Sequence, residues 1–118
     1  MAAPNLKSPT AIYGKTARYA VGSGLATAVS GVPSGSVYKV NSIFCANVDG
    51  TNAADISVSI YDGTTDFYLA KTLTVPADAT QIISSKDTYF YLEEGDSIRA
   101  IASAASDLEL VIGYEDIS

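Results

Sequence analysis

The sequence of 118 residues contains no histidine, no tryptophan and a single cysteine. The lack of histidine removes the side chain that most often serves as a general base or metal ligand near neutral pH. The lone Cys45 cannot form a disulfide within the chain, so the fold does not depend on oxidation. No apolar run reaches the 18 residues of a membrane helix, and residues 1–7 lack the apolar segment of a secretory signal. We therefore expect neither a membrane partner nor a leader sequence.

Basic residues are also few. Lysine and arginine number 7 against 13 acidic residues, which gives a net charge of −6. Such a chain is a poor nucleic-acid binder, because contacts from cations to phosphates provide most of the non-specific affinity. The charge is unevenly spread, since residues 1–48 contain no acid and residues 49–118 contain all 13. We predict no direct nucleic-acid partner.

The residues that are abundant favour β-structure. Val, Ile, Thr, Tyr and Phe together make up 40 of the 118 residues, and these types are enriched in strands. Short runs of alternating apolar and polar residues are separated by Gly, Asp and Pro turns, which predicts eight or nine strands and no long helix. The Gly63–Thr65 turn between two such runs indicates a hairpin.

This pattern predicts an all-β fold, a single antiparallel β-sandwich with jelly-roll or related Greek-key topology. Pro4, Pro9 and Gly14 interrupt the start of the chain, so residues 1–14 are predicted to form an extended N-terminal arm. Residues 15–118 would then form the sandwich domain.

Two motifs superficially suggest catalysis. Residues 14–16, Gly-Lys-Thr, end like a phosphate-binding loop, but Pro9 stands where that motif needs its first glycine. Ser36 and Lys39 have the Ser-x-x-Lys spacing of serine acylases, but the companion motifs are missing. Both segments are better explained as a turn and a strand.

Carboxylates cluster in turns rather than in a catalytic pattern. The loop from Asp49 to Asp55 and the pair Asp62 and Asp66 are oxygen-rich, but neither has calcium-loop spacing. The acids of residues 93–96 lie in one turn, whereas a glycosidase needs two carboxylates at a set separation across a cleft. We predict no enzyme activity, no catalytic residue, no metal site and no cofactor.

The eight tyrosines are numerous for a small chain. Tyr61 alternates with Ile56, Val58 and Ile60, so it is expected on the polar face of its strand, and Tyr68 lies on the next run. Outward tyrosines suit contacts with proteins or sugars, because they combine a large rigid area with a polar tip. They also commonly close the rims of a sandwich, and the sequence leaves both interpretations open.

Five segments resemble one kind of protein. They are residues 47–61, 69–72, 75–80, 91–99 and 114–118. Their pattern is similar to small virion proteins of tailed bacteriophages, notably those of marine cyanobacteria and other aquatic hosts. The resemblance covers residues 36–118 well and the first 35 residues only loosely.

The resemblance implies a non-enzymatic virion structural protein, assembled in the host cytoplasm. Its implied role is a capsid decoration or cement protein that oligomerises and contacts neighbouring coat subunits. The alternatives are a neck- or tail-associated subunit, or a receptor- or glycan-binding module on the virion surface. Implied partners are copies of itself, for which a trimer would suit local three-fold axes, and the major capsid protein or other virion subunits.

The predicted interface residues follow from charge and exposure. The acid-free start of the chain could meet the acidic turn of a neighbouring subunit, and such complementarity would help to set the register of the contact. The tyrosines would supply contact area. The predicted interface residues are Lys7, Lys15, Arg18, Tyr61, Tyr68, Glu93, Glu94 and Asp96.

Overall fold

The computed structural model describes residues 4–118, and its regular structure is almost entirely β. Nine strands agree with the predicted eight or nine. A short 3-10 helix, Lys86–Thr88, lies between the sixth and seventh strands. The strands are β1 (Ile12–Ala20), β2 (Ala26–Val29), β3 (Val37–Asn47), β4 (Ala54–Tyr61), β5 (Asp66–Val75), β6 (Thr80–Ser84), β7 (Phe90–Leu92), β8 (Ser97–Ala102) and β9 (Leu108–Ile117).

The strands form two antiparallel sheets. Sheet I has the order β1-β9-β3-β6, with β7 also paired to β3, and sheet II has the order β2-β8-β4-β5. Most neighbours in a sheet come from distant parts of the chain, which is wiring of the Greek-key kind. The predicted all-β antiparallel sandwich is confirmed, and the predicted β4–β5 hairpin is present.

Alternating apolar side chains on the facing surfaces of the two sheets form the core. On β9, Leu108, Leu110 and Ile112 are spaced by two and are all buried. On β3, Val40 and Ile43 are three residues apart, yet both are fully buried. A register shift after Val40 adds one residue to the strand, which returns Ile43 to the inner face.

The serines of β4 depart from the expected polar face. Ser57 and Ser59 are buried, because neighbouring groups cover them and use their hydroxyls. The Ser57 hydroxyl accepts a hydrogen bond from the Thr72 amide at 2.9 Å, and the Ser59 hydroxyl donates to Asp66 at 2.8 Å. Thr72 has a positive φ of 48°, next to the irregular part of the β4–β5 ladder.

The first strand begins earlier than the predicted arm boundary at residue 14. β1 starts at Ile12, and the Ala11 and Ser118 main chains exchange two hydrogen bonds just before it. Residues 4–11 are not extended throughout, because Asn5 caps a turn by accepting from the Lys7 amide at 2.9 Å. The arm that the structure describes is therefore shorter than the sequence suggested, and residues 1–3 of the prediction lie outside the described part of the chain.

Candidate interaction surfaces

The eight predicted interface residues lie in three separate places. Lys7 is in the turn before β1, and Lys15 and Arg18 are on β1 itself. The two tyrosines lie at the β4–β5 hairpin end of sheet II. The three acids lie in the turn between β7 and β8. Tyr61 is opposite Ser97, which directly follows the acidic turn, so the tyrosine and acidic sets are neighbours, whereas Lys15 and Arg18 lie on the other sheet.

The tyrosine surface centres on a residue that sequence reasoning missed, Arg99. The guanidinium of Arg99 donates to both carboxylate oxygens of Asp66, at 3.0 and 2.5 Å, and lies 3.9 Å from the centre of the Tyr61 ring. Asp66 also accepts the hydrogen bond from Ser59. The hydrogen bond from Arg99 lowers the pKa of Asp66, and the same contact raises the pKa of Arg99.

Strand register explains why these groups meet. Ser59 of β4 is directly opposite Tyr68 of β5 on one side and Arg99 of β8 on the other. Tyr61 is opposite Asp66, so these five side chains share one face as direct or diagonal neighbours. In the sequence, the alternation of β4 and the short turn of residues 62–65 indicate the position of Asp66. The pairing of β4 with β8 joins segments that are distant in sequence, so local patterns do not reveal that Arg99 lies nearby.

The two tyrosines have different surroundings. The Tyr61 ring has one face covered by the Arg99 guanidinium, and its hydroxyl donates to the Gly63 carbonyl at 2.9 Å. Tyr68 has an exposed fraction of 44%, with the Lys71 ammonium 4.2 Å from its ring centre, and the neighbouring Phe67 is also exposed. Tyr61 therefore stabilises the chain's own structure, whereas Tyr68 contributes exposed aromatic area.

The adjacent Asp62 turn is held by main-chain hydrogen bonds. One Asp62 carboxylate oxygen accepts from the Thr64 and Thr65 amides at 2.9 and 2.7 Å. These bonds lower the pKa of Asp62, and Gly63 has a φ of 100° that a side chain rarely adopts. The carboxylate thus has a structural role in the hairpin turn.

The acidic turn is ordered in a similar way. The Asp96 carboxylate accepts from the Glu93 amide at 3.0 Å, and Gly95 has a φ of 89°. Glu93 and Glu94 are exposed. The turn follows Leu92, which is opposite Tyr38 on β3, so it lies at the end of sheet I where β1 begins. The β9 and β3 strands separate it from β1 by about 14 Å at the usual strand spacing.

Lys15 has a partner within its own chain. Its ammonium donates to Asp116 at 3.0 Å, and the hydrogen bond and negative charge of Asp116 raise the pKa of Lys15. The ring centres of Tyr38 and Tyr114 lie 4.9 Å apart on the same face of sheet I. Burial raises the pKa of the Tyr38 hydroxyl. Of the basic residues predicted on β1, Arg18 is thus the more available for an external contact.

The outer face of sheet I has an exposed apolar row that sequence reasoning also missed. Val111, Phe44 and Ile82 are directly opposite one another on β9, β3 and β6. The exposed fractions of Phe44 and Ile82 are 36% and 69%. We call these three residues the apolar row. The apolar row is not evident in the sequence, because Ile82 and Ile83 are adjacent and alternation alone does not decide which of the two faces outward.

Within residues 4–118, no group of three or more His, Cys, Asp or Glu residues is arranged to hold a metal ion. The Cys45 thiol is fully buried, and burial raises its pKa to about 11. No helix among the described residues has the length and apolar character needed to cross a membrane.

Comparison with known proteins gives matches in structure. No protein-family model matches the chain, and no curated protein matches its sequence. A chain in the acidic stable capsid structure of Helicobacter pylori bacteriophage KHP30 has a TM-score of 0.57 and 19% identity, and the match covers 94% of this chain and 90% of that chain.

Two further matches differ in their strength. A chain from the disulfide-linked pili that form Bacillus endospore appendages has a TM-score of 0.53 and 11% identity, over 92% of this chain and 87% of that chain. A pentameric capsid protein from metagenomic phage sequences has a TM-score of 0.42 and 20% identity, over 85% and 59% of the respective chains. The KHP30 and pilus matches show a shared fold.

Proposed function

We propose that this protein is a non-enzymatic structural subunit of a bacteriophage virion, a capsid decoration or cement protein that stabilises the shell. The observation that carries the proposal is the match to the KHP30 capsid chain, which spans nearly the whole of both chains. The resemblance of five sequence segments to small virion proteins of tailed phages supports the same role independently. The protein would act in the virion, after assembly in the host cytoplasm.

The match to the pilus chain has a feature that this chain does not reproduce. That protein belongs to disulfide-linked pili, whereas the only cysteine of this chain, Cys45, is fully buried between the sheets. A buried thiol with a raised pKa is protected from exchange with a neighbour. Assembly of this chain would therefore rely on non-covalent contacts, which favours the capsid role.

The apolar row is a suitable contact surface for a coat subunit. Exposed apolar side chains that are contiguous on a sheet are typical of protein interfaces. Phe44 and Ile82 lie opposite each other on neighbouring strands and are both exposed, so their burial on a coat subunit would supply binding energy. The major capsid protein is the proposed partner.

Self-association is the second part of the proposal. Lys7 is exposed in the turn before β1, and Arg18 is exposed further along β1. Glu93 and Glu94 are exposed in the acidic turn, at the end of sheet I where β1 begins. Contacts between these sets on adjacent copies would help to set register. A trimer on local three-fold axes is one such assembly.

The alternative roles predict different locations. A neck or tail subunit would be found at one vertex of the particle, and a glycan-binding module would use Tyr61 and Tyr68. The glycan alternative is less favoured, because Arg99 covers one face of the Tyr61 ring and its hydroxyl is bonded within the chain.

The decisive experiment locates the protein in particles of the phage whose genome encodes it. Antibody labelling and a particle reconstruction should show many copies distributed over the shell, and particles lacking the protein should lose heat resistance that added protein restores. Label confined to one vertex would support the neck or tail role. Absence of the protein from purified particles would overturn the proposal.

Matched variants identify the surface that is used. Ile82→Asp places a charge in the apolar row and should abolish binding to undecorated particles, because the exposed fraction of this side chain is 69%. Tyr68→Ala is the control on the opposite sheet and should bind normally. The reverse result, together with hits on a glycan array, would favour the receptor-binding alternative.

A further inference from the structure

The free edge of β1 has features that suit pairing with another strand. β1 is an edge strand of sheet I, and its nine residues pair with β9 in one uninterrupted register from Ile12↔Ile117 to Ala20↔Glu109. A long, regular edge strand exposes a row of unpaired main-chain groups, which is a template for strand addition.

The other edges of the sandwich are short or irregular. β2 has four residues and a register shift, and β7 has three residues. β6 has five residues and a shift in its pairing with β3, and β5 has two shifts in its ladder with β4 and a positive φ at Thr72. Such features are the usual protection against edge-to-edge pairing. Among the described edge strands, β1 therefore has the longest ladder without a register shift.

The hydrogen bonds at the ends of β1 identify the main-chain groups that face outward. Ala11 and Ser118 exchange two hydrogen bonds, and the Val21 amide donates to the Leu108 carbonyl at 2.9 Å. Since bonded and non-bonded pairs alternate along an antiparallel ladder, the odd-numbered residues from 11 to 21 bond to β9. The even-numbered residues of β1 consequently direct their amides and carbonyls towards the free edge. They are Ile12, Gly14, Thr16, Arg18 and Ala20.

The side-chain sequence of β1 is complementary to itself. In an antiparallel pair of β1 strands centred on Thr16, Thr16 is opposite its own copy and Gly14 is opposite Arg18. On the other face, Tyr13 is opposite Tyr19 and Lys15 is opposite Ala17. Each cation thus faces a small residue, the tyrosines face each other, and each even-numbered residue lies opposite another, which gives about ten main-chain hydrogen bonds.

The neighbouring registers are less favourable. Even-numbered residues must remain opposite one another for their outward groups to bond. The two-fold axis can therefore lie at a residue but not between two residues, and the nearest alternatives are centred on Lys15 and on Ala17. Centring on Lys15 places two lysines in direct opposition, and centring on Ala17 leaves Ile12 without a partner on β1. The Thr16 register uses all five outward residues without opposing like charges.

We propose that β1 pairs antiparallel with β1 of a second copy across a two-fold axis at Thr16, which joins the two copies of sheet I into one continuous sheet. Because the same edge is used by both copies, the contact closes as a dimer and does not propagate. The pairing does not depend on the proposed virion role, and its failure would leave that role intact.

A cysteine pair tests the register. Thr16→Cys places two thiols at the two-fold axis, where opposed Cα atoms about 5.5 Å apart are within disulfide range. Arg18→Cys is the control: position 18 is also exposed, but its two copies would be about four residues apart along the strand, beyond disulfide reach. Under mild oxidation, Thr16→Cys should form a covalent dimer and Arg18→Cys should not. Equal cross-linking of both variants, or of neither, would overturn the proposal.

Sedimentation of the full chain over a concentration series tests the association itself. The wild type should show a monomer–dimer equilibrium. Thr16→Pro removes an outward amide without removing a bond to β9, so it should raise the dissociation constant by at least about tenfold. Thr16→Val should associate like the wild type. A wild type that remains monomeric, or that forms only trimers, would contradict the two-fold pairing.

Discussion

Two isoleucines on neighbouring strands offer a direct test of which faces of sheet I are inside and outside. Ile43 on β3 is fully buried, whereas the exposed fraction of Ile82 on β6 is 69%. Replacing each by alanine removes the same atoms from two very different environments. Any difference between the two losses in free energy of unfolding therefore reflects burial and not side-chain chemistry.

The expected magnitudes differ severalfold. Ile43→Ala leaves a cavity in the core and should cost about 3–4 kcal/mol of the free energy of unfolding. An entropy of unfolding near 2.1 cal/mol/K per residue gives about 0.25 kcal/mol/K for a chain of 118 residues, so the melting temperature should fall by about 12–16 °C. Ile82→Ala should cost about 0.5–1 kcal/mol, mostly as strand propensity, with a fall of about 2–4 °C.

The measurement is urea and thermal unfolding followed by circular dichroism. Both variants should retain the wild-type spectrum and a single transition, because the total stability of a domain this size is about 6–18 kcal/mol. Equal losses for the two variants would refute the reasoning, since they would show that Ile82 is buried in the protein in solution. A small loss for Ile43→Ala would refute the position of the core.

Three further predictions concern charge and reactivity. Asp66 has a lowered pKa, so its ion pair with Arg99 stabilises the fold above the unfolded pKa of about 3.9 and loses this effect as pH falls through the folded pKa. Asp66→Asn should therefore lower stability at pH 7, and its difference from the wild type should shrink in acid; a constant difference would contradict this. Cys45 should react with a thiol reagent only after unfolding, and rapid native labelling would show that the core opens. If Lys7 and Arg18 meet the acidic turn of a neighbour, association should weaken with added salt, whereas salt-insensitive association would exclude that contact.

The number of strands and their approximate positions along the chain could be predicted from the sequence, because alternation and turn residues are local signals. β9 is an example: Leu108, Leu110 and Ile112 are spaced by two and all face the core. The start of β1 was harder to place, since residues 12–14 are placed in the sheet by pairing with β9, about a hundred positions later in the chain. The register shift after Val40 likewise depends on the partner strand.

The candidate surfaces were less predictable for the same reason. Lys15 and Tyr61 were identified by residue type, but their partners Asp116 and Arg99 come from strands that are distant in sequence. These contacts turn two predicted interface residues towards their own chain. Conversely, the apolar row exists only because β9, β3 and β6 bring three distant residues side by side.

The two hydrogen bonds between Ala11 and Ser118 have a consequence for engineering. The chain enters the sandwich and leaves it at one point, so a short linker between these positions could close the backbone into a ring. New ends opened in the exposed turn at Gly63 would then yield a circular permutant with every strand pair retained. Such a permutant would carry a fused peptide beside Phe67 on sheet II instead of at the start of β1 on sheet I.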